Sequence, residues 1–86
     1  MKIYVTSEDI EHGVRMDCTR CPVGLAMWRS SGMPCYVTYF FATMRGQTFR
    51  LPLKARDFVR SFDAGLPVKP LEFELPGYDP SSLTQA

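Results

Sequence analysis

The sequence predicts a single α+β domain with the element order β-α-β-β-α-β, and three observations support this. Two short stretches near the ends of the chain alternate apolar and polar residues, as strands with one buried face do. A segment after Pro52 has apolar residues at helical spacing. Between them, an apolar run is followed by a turn, as in a β-hairpin. This order is typical of the ferredoxin-like fold, a four-stranded antiparallel sheet with its helices on one face.

The first half of the chain supplies one strand and two helices. Residues 2–6 alternate, with Ile3 and Val5 on the apolar face. Thr6 or Ser7 is a favourable N-cap for a short helix, which we expect to end at Gly13. The second helix is predicted over 22–31, because proline is favoured at a first helical position and glycine follows its end.

The second half supplies three strands and a helix. Residues 35–44 and 47–51 predict a hairpin around an Arg-Gly turn, and residues 71–75 predict the last strand. In the helix after Pro52, Phe58 and Phe62 share one apolar face with Ala55 and Val59. The domain is predicted over 1–76, and the polar residues 77–86 are predicted to be a flexible tail.

The ferredoxin-like order of strands, 4-1-3-2, places the last strand beside the first and strand 35–44 at an edge. Both faces of strand 35–44 are apolar, although an edge strand of this sheet has only one face against helices. A three-residue turn sends Tyr36 and Phe40 outward, and a two-residue turn reverses the faces. We predict a partner-contact surface formed by Tyr4, Tyr36, Phe40 and Arg50, or a homodimer through this strand. The alternative is that strand 35–44 is central and buried on both faces.

The cysteines allow three interpretations. Zinc binding would gather Cys18 and Cys21 with His12 and Cys35, but the chain has only one C-x-x-C pair. Redox chemistry would use a thiolate at the helix start, where Cys21 precedes Pro22. The favoured interpretation is structural, with Cys18 and Cys21 packed as small apolar residues and no metal bound.

The composition excludes several other functions. The net charge is +1 and 45% of the residues are apolar, so the chain lacks the cationic excess that drives nonspecific nucleic-acid binding. No glycine-rich phosphate loop and no acid-base pair is visible, so we predict no enzyme activity and no cofactor. The sequence shows no export signal and no membrane-spanning stretch, which predicts a cytoplasmic protein.

A single-stranded nucleic-acid binder is an alternative function. Residues 3–7 and 45–51 resemble the two signature strands of the RNA-recognition motif. Gln47, however, stands where that family has a stacking aromatic residue, and alternation turns Phe49 towards the core. Glu72 and Glu74 would also place negative charge on the open face of the sheet.

Most of the chain outside the hairpin resembles a group of small uncharacterised phage and prophage proteins. Their pattern has a V-T-x-E-D-I-x-x-G-V start, a C-x-x-C-P-V-A-L-A helix entrance and an F-D-x-G-x-x-V-x-P-x-x-F-x-L end. The first two segments match at Val5, Thr6, Glu8, Asp9, Ile10, Gly13, Val14, Cys18, Cys21, Pro22, Val23, Leu25 and Ala26. The last matches at Phe62, Asp63, Gly65, Val68, Pro70, Phe73 and Leu75, while Gly24 replaces the group's alanine.

The resemblance implies a phage or prophage origin and no particular activity. Small proteins of this origin often bind and block a host enzyme or defence complex, as anti-CRISPR proteins do. We therefore expect a non-enzymatic protein of the host-cell cytoplasm that binds a host or phage protein.

Overall fold

A computed structural model describes residues 1–75 of the chain, and the tail predicted over 77–86 lies outside them. The elements are β1 (Lys2–Val5), α1 (Ser7–His12), α2 (Pro22–Ser31), β2 (Tyr36–Val37), β3 (Phe41–Met44), β4 (Gln47–Arg50), α3 (Leu53–Asp63) and β5 (Leu71–Glu74). All sheet pairs among them are antiparallel. The α+β class is therefore confirmed.

The strands of the described residues form two sheets, not the predicted single sheet of four strands. One sheet pairs β1 with β5, and the other has the order β2-β3-β4. The expected neighbourhood of the first and last strands is present, since Lys2 lies opposite Glu74. On β1, Arg29 Nη2 from α2 donates to the Tyr4 carbonyl oxygen at 2.8 Å. This hydrogen bond occupies a backbone acceptor of β1 that a neighbouring strand would use in a larger sheet.

The predicted strand 35–44 is divided into β2 and β3 by a turn at Thr38. The Thr38 hydroxyl accepts hydrogen bonds from the N–H groups of Phe40 (3.3 Å) and Phe41 (3.0 Å). Thr38 N–H also donates to the Phe41 carbonyl oxygen at 2.8 Å. A threonine hydroxyl that bonds to the backbone two or three residues on offers an alternative to the strand ladder. The chain therefore reverses here, and Val37 lies opposite Ala42.

The hairpin from β3 to β4 turns on two residues. Arg45 (φ 54°) and Gly46 (φ 80°) are both in the left-handed region, as a type I′ turn requires. Met44 lies opposite Gln47, and Phe41 lies opposite Arg50. Of the two registers that the sequence left open, the structure has the one in which Phe41 and not Phe40 shares a face with Arg50.

The helix ends follow local signals. Thr6 closes a capping box on α1, and Gly32 (φ 81°) ends α2 in the left-handed conformation. Gly13 differs from the expected left-handed cap, because its backbone is extended (φ −67°). A Cβ at Gly13 would lie 2.6 Å from Pro22 Cγ, so the glycine is needed there for close approach.

The core lies between the helices and the inner faces of the two sheets. α3 contributes Ala55, Phe58 and Val59, as the helical spacing predicts, and Phe62 packs at its margin. The largest fully buried side chains of the core are those of Phe73, Ile3, Met27, Met44, Leu51 and Leu75. This arrangement leaves the outer face of the three-stranded sheet exposed.

Candidate partner-binding surface

The outer face of the three-stranded sheet carries two exposed aromatic side chains and an arginine. Tyr36 lies opposite Thr43, and Phe41 lies opposite Arg50. Between these pairs, the hydroxyl groups of Thr43 and Thr48 are hydrogen-bonded at 3.1 Å. Directly opposite residues of an antiparallel pair point to the same side, so these five residues form one surface. We call it the aromatic face.

Both aromatic side chains of the aromatic face are exposed. Tyr36 is 62% exposed and Phe41 is 43% exposed, whereas Val37 and Ala42 on the opposite side of the same strands are buried. A half-exposed phenylalanine beside an arginine offers apolar area and a hydrogen-bonding cation at one place. In the described part of the chain, neither aromatic side chain is covered by a helix.

Phe40, predicted as a contact residue, does not belong to the aromatic face. It lies in the turn after Thr38, where its carbonyl oxygen accepts from Leu51 N–H at 2.8 Å. It is still 47% exposed, because the turn stands at the end of the sheet. Phe41 takes the place that the sequence analysis gave to Phe40, and the deciding signal was the two-residue Arg-Gly turn.

Tyr4, the fourth predicted contact residue, lies on the other sheet. It is 53% exposed and opposite Glu72 on β5. Alternation places it on the same side of β1 as Lys2, whose partner Glu74 lines a groove together with Arg50. The structure therefore brings Tyr36 and Arg50 together and places Tyr4 on the neighbouring sheet.

The groove beside Arg50 is lined by three cations. Arg50, Lys54 and Arg56 border it together with Leu51, Pro52 and Glu74, and we call it the basic groove. Among residues 1–75, Glu74 is the only acidic residue that lines it, and Glu74 Oε1 accepts from the N-terminal amine of Met1 at 2.9 Å. None of the three cations forms an ion pair within residues 1–75.

Arg56 is unusual among these cations because one of its polar atoms is buried without a partner. Its Nε has no exposed surface and makes no hydrogen bond within the described chain. Burial of an unsatisfied donor costs ~1–3 kcal/mol, so such atoms are uncommon in folded proteins.

Cys21 has the structural role that the sequence predicted. It is the N-cap of α2, where its Sγ accepts from Gly24 N–H at 3.3 Å. Burial raises the pKa of this thiol to about 11, against an ordinary value of 9.0. Cys35 is also buried, and its Sγ lies 3.4 Å from Ser31 Oγ. The prediction of burial is wrong for Cys18, whose side chain is exposed.

Cys18 is exposed because the loop before α2 is held by a different residue. Asp17 Oδ1 accepts from the N–H groups of Thr19 and Arg20, both at 2.9 Å. These hydrogen bonds, the one from Thr19 first, lower the pKa of Asp17. The loop also pairs with β2, since Val37 N–H donates to the Cys18 carbonyl oxygen at 2.7 Å. Cys18 is thus fixed through its backbone, and its side chain borders a pocket of about 200 Å³.

The four residues of the zinc hypothesis do not come together. Cys18 and Cys21 border the same pocket, but His12 lines a different groove with Glu8, Asp9 and Trp28. Within residues 1–75, no three histidine, cysteine or acidic side chains are placed to hold a metal ion.

Comparisons of the chain with protein-family models, with curated proteins and with solved structures gave no match. Among the described residues, none of the helices is long and apolar enough to cross a membrane.

Proposed function

We propose that this chain is a small non-enzymatic protein that binds a protein partner through the aromatic face. The observation that carries the proposal is the pair of Phe41 and Arg50, directly opposite each other on an outer sheet surface. Aromatic and arginine side chains are enriched among the residues that dominate binding energy at interfaces. Tyr36 and Phe41 expose aromatic surface on the same sheet face, and such a cluster is a candidate contact area for a partner.

The origin and setting proposed for the protein follow from the sequence resemblance. We propose a phage- or prophage-encoded protein that acts in the host-cell cytoplasm and inhibits a host enzyme or defence system. A second copy of the chain is an alternative occupant of the same face, which would make the protein a homodimer.

The proposal is tested by comparing wild type with Phe41→Lys and Leu66→Lys. Both positions carry exposed apolar residues, 43% and 57%, but Leu66 lies outside the aromatic face. Each immobilised protein is exposed to host lysate, and captured proteins are identified by mass spectrometry. Light scattering of the same three proteins measures self-association. We expect a partner, or a dimer, that is retained by Leu66→Lys and lost in Phe41→Lys while the fold is unchanged.

Single-stranded nucleic-acid binding is a second candidate, favoured by the exposed aromatic side chains near Arg50, Lys54 and Arg56. The specific likeness to the RNA-recognition motif gains no support, because Phe49 is buried with 7% exposure. Binding of labelled oligonucleotides over a series of salt concentrations separates this function from protein binding. Tight, salt-dependent and Phe41-dependent binding to an oligonucleotide would replace the protein-partner proposal.

A thiol-dependent function remains as the third candidate and concerns Cys18 and Cys21. Only Cys18 presents an exposed thiol, whereas Cys21 is engaged as a helix cap. A double replacement by serine that leaves partner capture unchanged would exclude a thiol-dependent mechanism.

A further inference from the structure

From the basic groove we infer the chemistry of the partner: its segment next to the aromatic face carries acidic side chains, whose carboxylates bind Arg50, Lys54 and Arg56. This inference rests on the proposed function, since it describes the partner of the same surface. Arg50 joins the two features, because it lies opposite Phe41 and also lines the groove. A partner bound to the aromatic face could therefore contact the basic groove at the same time.

Charge complementarity supports an acidic occupant. The described residues give the groove three cations and one carboxylate, and that carboxylate is already paired with the N-terminal amine of Met1. Cations without partners on a protein surface are satisfied by water, and carboxylates of a bound segment give stronger, charge-assisted hydrogen bonds.

α3 begins beside the basic groove, since Pro52 and Lys54 both line it. α3 begins after Pro52, which makes no side-chain cap, and its first turn holds no acidic residue. Native helices commonly place a carboxylate at this position, where free N–H groups and the helix dipole favour negative charge. An acidic side chain from a partner would supply the missing group.

A protein segment fits these observations better than a nucleic acid does. The three cations lie together in one groove at the start of α3, and they do not follow a path along the sheet. A single strand needs cations that track successive phosphates, together with several stacking positions. Glu72 and Glu74 on the neighbouring strand would repel an extended phosphate chain.

The probe for the test is a synthetic peptide of alternating glutamate and phenylalanine. Its matched controls are the same peptide with glutamine for glutamate and a thymidine oligonucleotide of equal charge. Each is titrated into the full-length, isotope-labelled protein, and backbone amide shifts are followed by NMR. We expect the acidic peptide to shift the amides of Arg50, Leu53 and Lys54 at low salt, with weaker binding at high salt.

Two variants with the same change of charge complete the test. Lys54 and Lys69 are both exposed, but only Lys54 lines the basic groove. Lys54→Glu is expected to weaken binding of the acidic peptide roughly tenfold, whereas Lys69→Glu should change it by less than about twofold. The inference is overturned if the glutamine peptide binds equally well, if the oligonucleotide binds more tightly, or if no probe shifts these amides.

The same variants separate this inference from the proposed function. If Phe41→Lys loses the captured partner while Lys54→Glu keeps it, the aromatic face is confirmed as the binding surface and the acidic partner is wrong. If Lys54→Glu loses acidic-peptide binding while Phe41→Lys captures everything that wild type does, the basic groove binds carboxylates and the aromatic face is not the interface.

Discussion

The Asp9 carboxylate and the Arg29 guanidinium form a doubly hydrogen-bonded ion pair between α1 and α2. Arg29 Nη1 donates to Oδ1 at 2.8 Å, and Nη2 donates to Oδ2 at 2.9 Å. Nη2 also donates to the Tyr4 carbonyl oxygen, and Thr6 N–H donates to Asp9 Oδ2 at 2.9 Å. One buried carboxylate therefore links the first strand to both helices that follow it.

Arg29→Ala should destabilise the domain by ~1–3 kcal/mol, because it leaves the buried carboxylate of Asp9 short of two donors. The loss should fall below that of a fully buried pair, since the Arg29 side chain is half exposed. Urea unfolding measures the change. Arg60→Ala, which removes an exposed arginine of α3, should stay within about 0.5 kcal/mol of wild type. Equal effects of the two variants would contradict a structural role for the pair.

The same pair predicts a dependence of stability on pH. Burial alone would raise the pKa of Asp9, but hydrogen bonds from Arg29 and Thr6 and the charge of Arg29 lower it below its ordinary 3.8. A carboxyl group with a lowered pKa in the folded state stabilises the fold above the unfolded pKa, near 4, and this stabilisation is lost as pH falls further. Asp9→Asn should therefore flatten the acid side of the curve of melting temperature against pH. A curve as steep as that of wild type would contradict this.

The helices were predictable from sequence because their signals are local. Pro22 and Gly32 fix both ends of α2, and the spacing of Phe58 and Val59 fixes the inner side of α3. Strand 35–44 was not predictable in this way. Apolar residues occupy both of its faces, so alternation cannot show which face is buried. The break at Thr38 depends on one hydroxyl group that bonds to nearby backbone, and the division into two sheets depends on contacts distant in sequence.

The candidate site shows the same division between local and distant signals. Arg50 was predicted to face outward and is exposed on the outer face. Tyr36 was predicted to face outward only with a three-residue turn, and it shares this face because the break at Thr38 separates β2 from β3. The choice between Phe40 and Phe41 depended on turn length, which shifts every side chain of the strand to the other face. The basic groove was not predicted, because Arg50 and Lys54 meet Glu74 only through the packing of β5 near β4 and α3.

Gly24→Ala should destabilise the protein, although alanine is the better helix former by about 1 kcal/mol. A Cβ at this position would lie 2.6 Å from the Thr19 carbonyl oxygen, in the loop that Asp17 holds. Moving that backbone should cost more than the gain in propensity, for a net loss of ~1–2 kcal/mol. Thermal unfolding measures the change, with the exposed Ser30→Ala on the same helix as control. A more stable Gly24→Ala protein would show that the loop moves freely.

Phe58→Ala should cost ~3–5 kcal/mol, enough to unfold much of so small a domain, and Phe62→Ala should cost less. The rings stack with centroids 6.4 Å apart, but Phe58 is 7% exposed whereas Phe62 is only partly buried at the edge of the core. Melting curves followed by circular dichroism should therefore give Phe58→Ala a lower melting temperature than Phe62→Ala. An unchanged melting temperature in Phe62→Ala would contradict the packing of this helix face.

The thiols should react in the order of their exposure. In the native protein, iodoacetamide should modify Cys18 first, because Cys21 and Cys35 are buried. Mass spectrometry after partial alkylation identifies the modified residue, and full modification of all three is expected only in denaturant. Modification of Cys21 before Cys18 would contradict the assignment of Cys21 as a buried helix cap.

Cys21 also predicts a loss of stability in alkali. Its pKa is raised to about 11 by burial, so the folded state favours the neutral thiol. A thiol with a raised folded pKa stabilises the fold below the unfolded pKa, and this stabilisation is lost as pH rises from about 9 towards 11. Cys21→Ser keeps a capping oxygen but does not ionise in this range, so its alkaline loss should be smaller. Parallel alkaline curves for the two proteins would exclude Cys21 as the source.

The turn at Thr38 determines which aromatic residues reach the aromatic face, and the Thr38 hydroxyl accepts two of the hydrogen bonds that hold it. Thr38→Val keeps the side-chain shape but removes the acceptor for the N–H groups of Phe40 and Phe41. We expect a loss of ~1–2 kcal/mol in unfolding free energy and faster hydrogen exchange at the Phe41 amide. Thr38→Ser retains the hydroxyl, so its unfolding free energy and the exchange rate of its Phe41 amide should be close to those of wild type.

Thr48→Val is the matched control for Thr38→Val, since it removes an exposed hydroxyl from the same sheet without affecting the turn. The Thr48 hydroxyl bonds only to that of Thr43 in the described structure, and valine is a good strand former. Its unfolding free energy should stay within about 0.5 kcal/mol of wild type. If Thr38→Val behaves like Thr48→Val, the turn is held by the ladder pair of Val37 and Ala42 and not by the hydroxyl. If Thr38→Val is less stable than wild type, the turn has loosened and we expect it to capture less partner. If its stability is unchanged, Phe41 keeps its place opposite Arg50 and we expect unchanged capture.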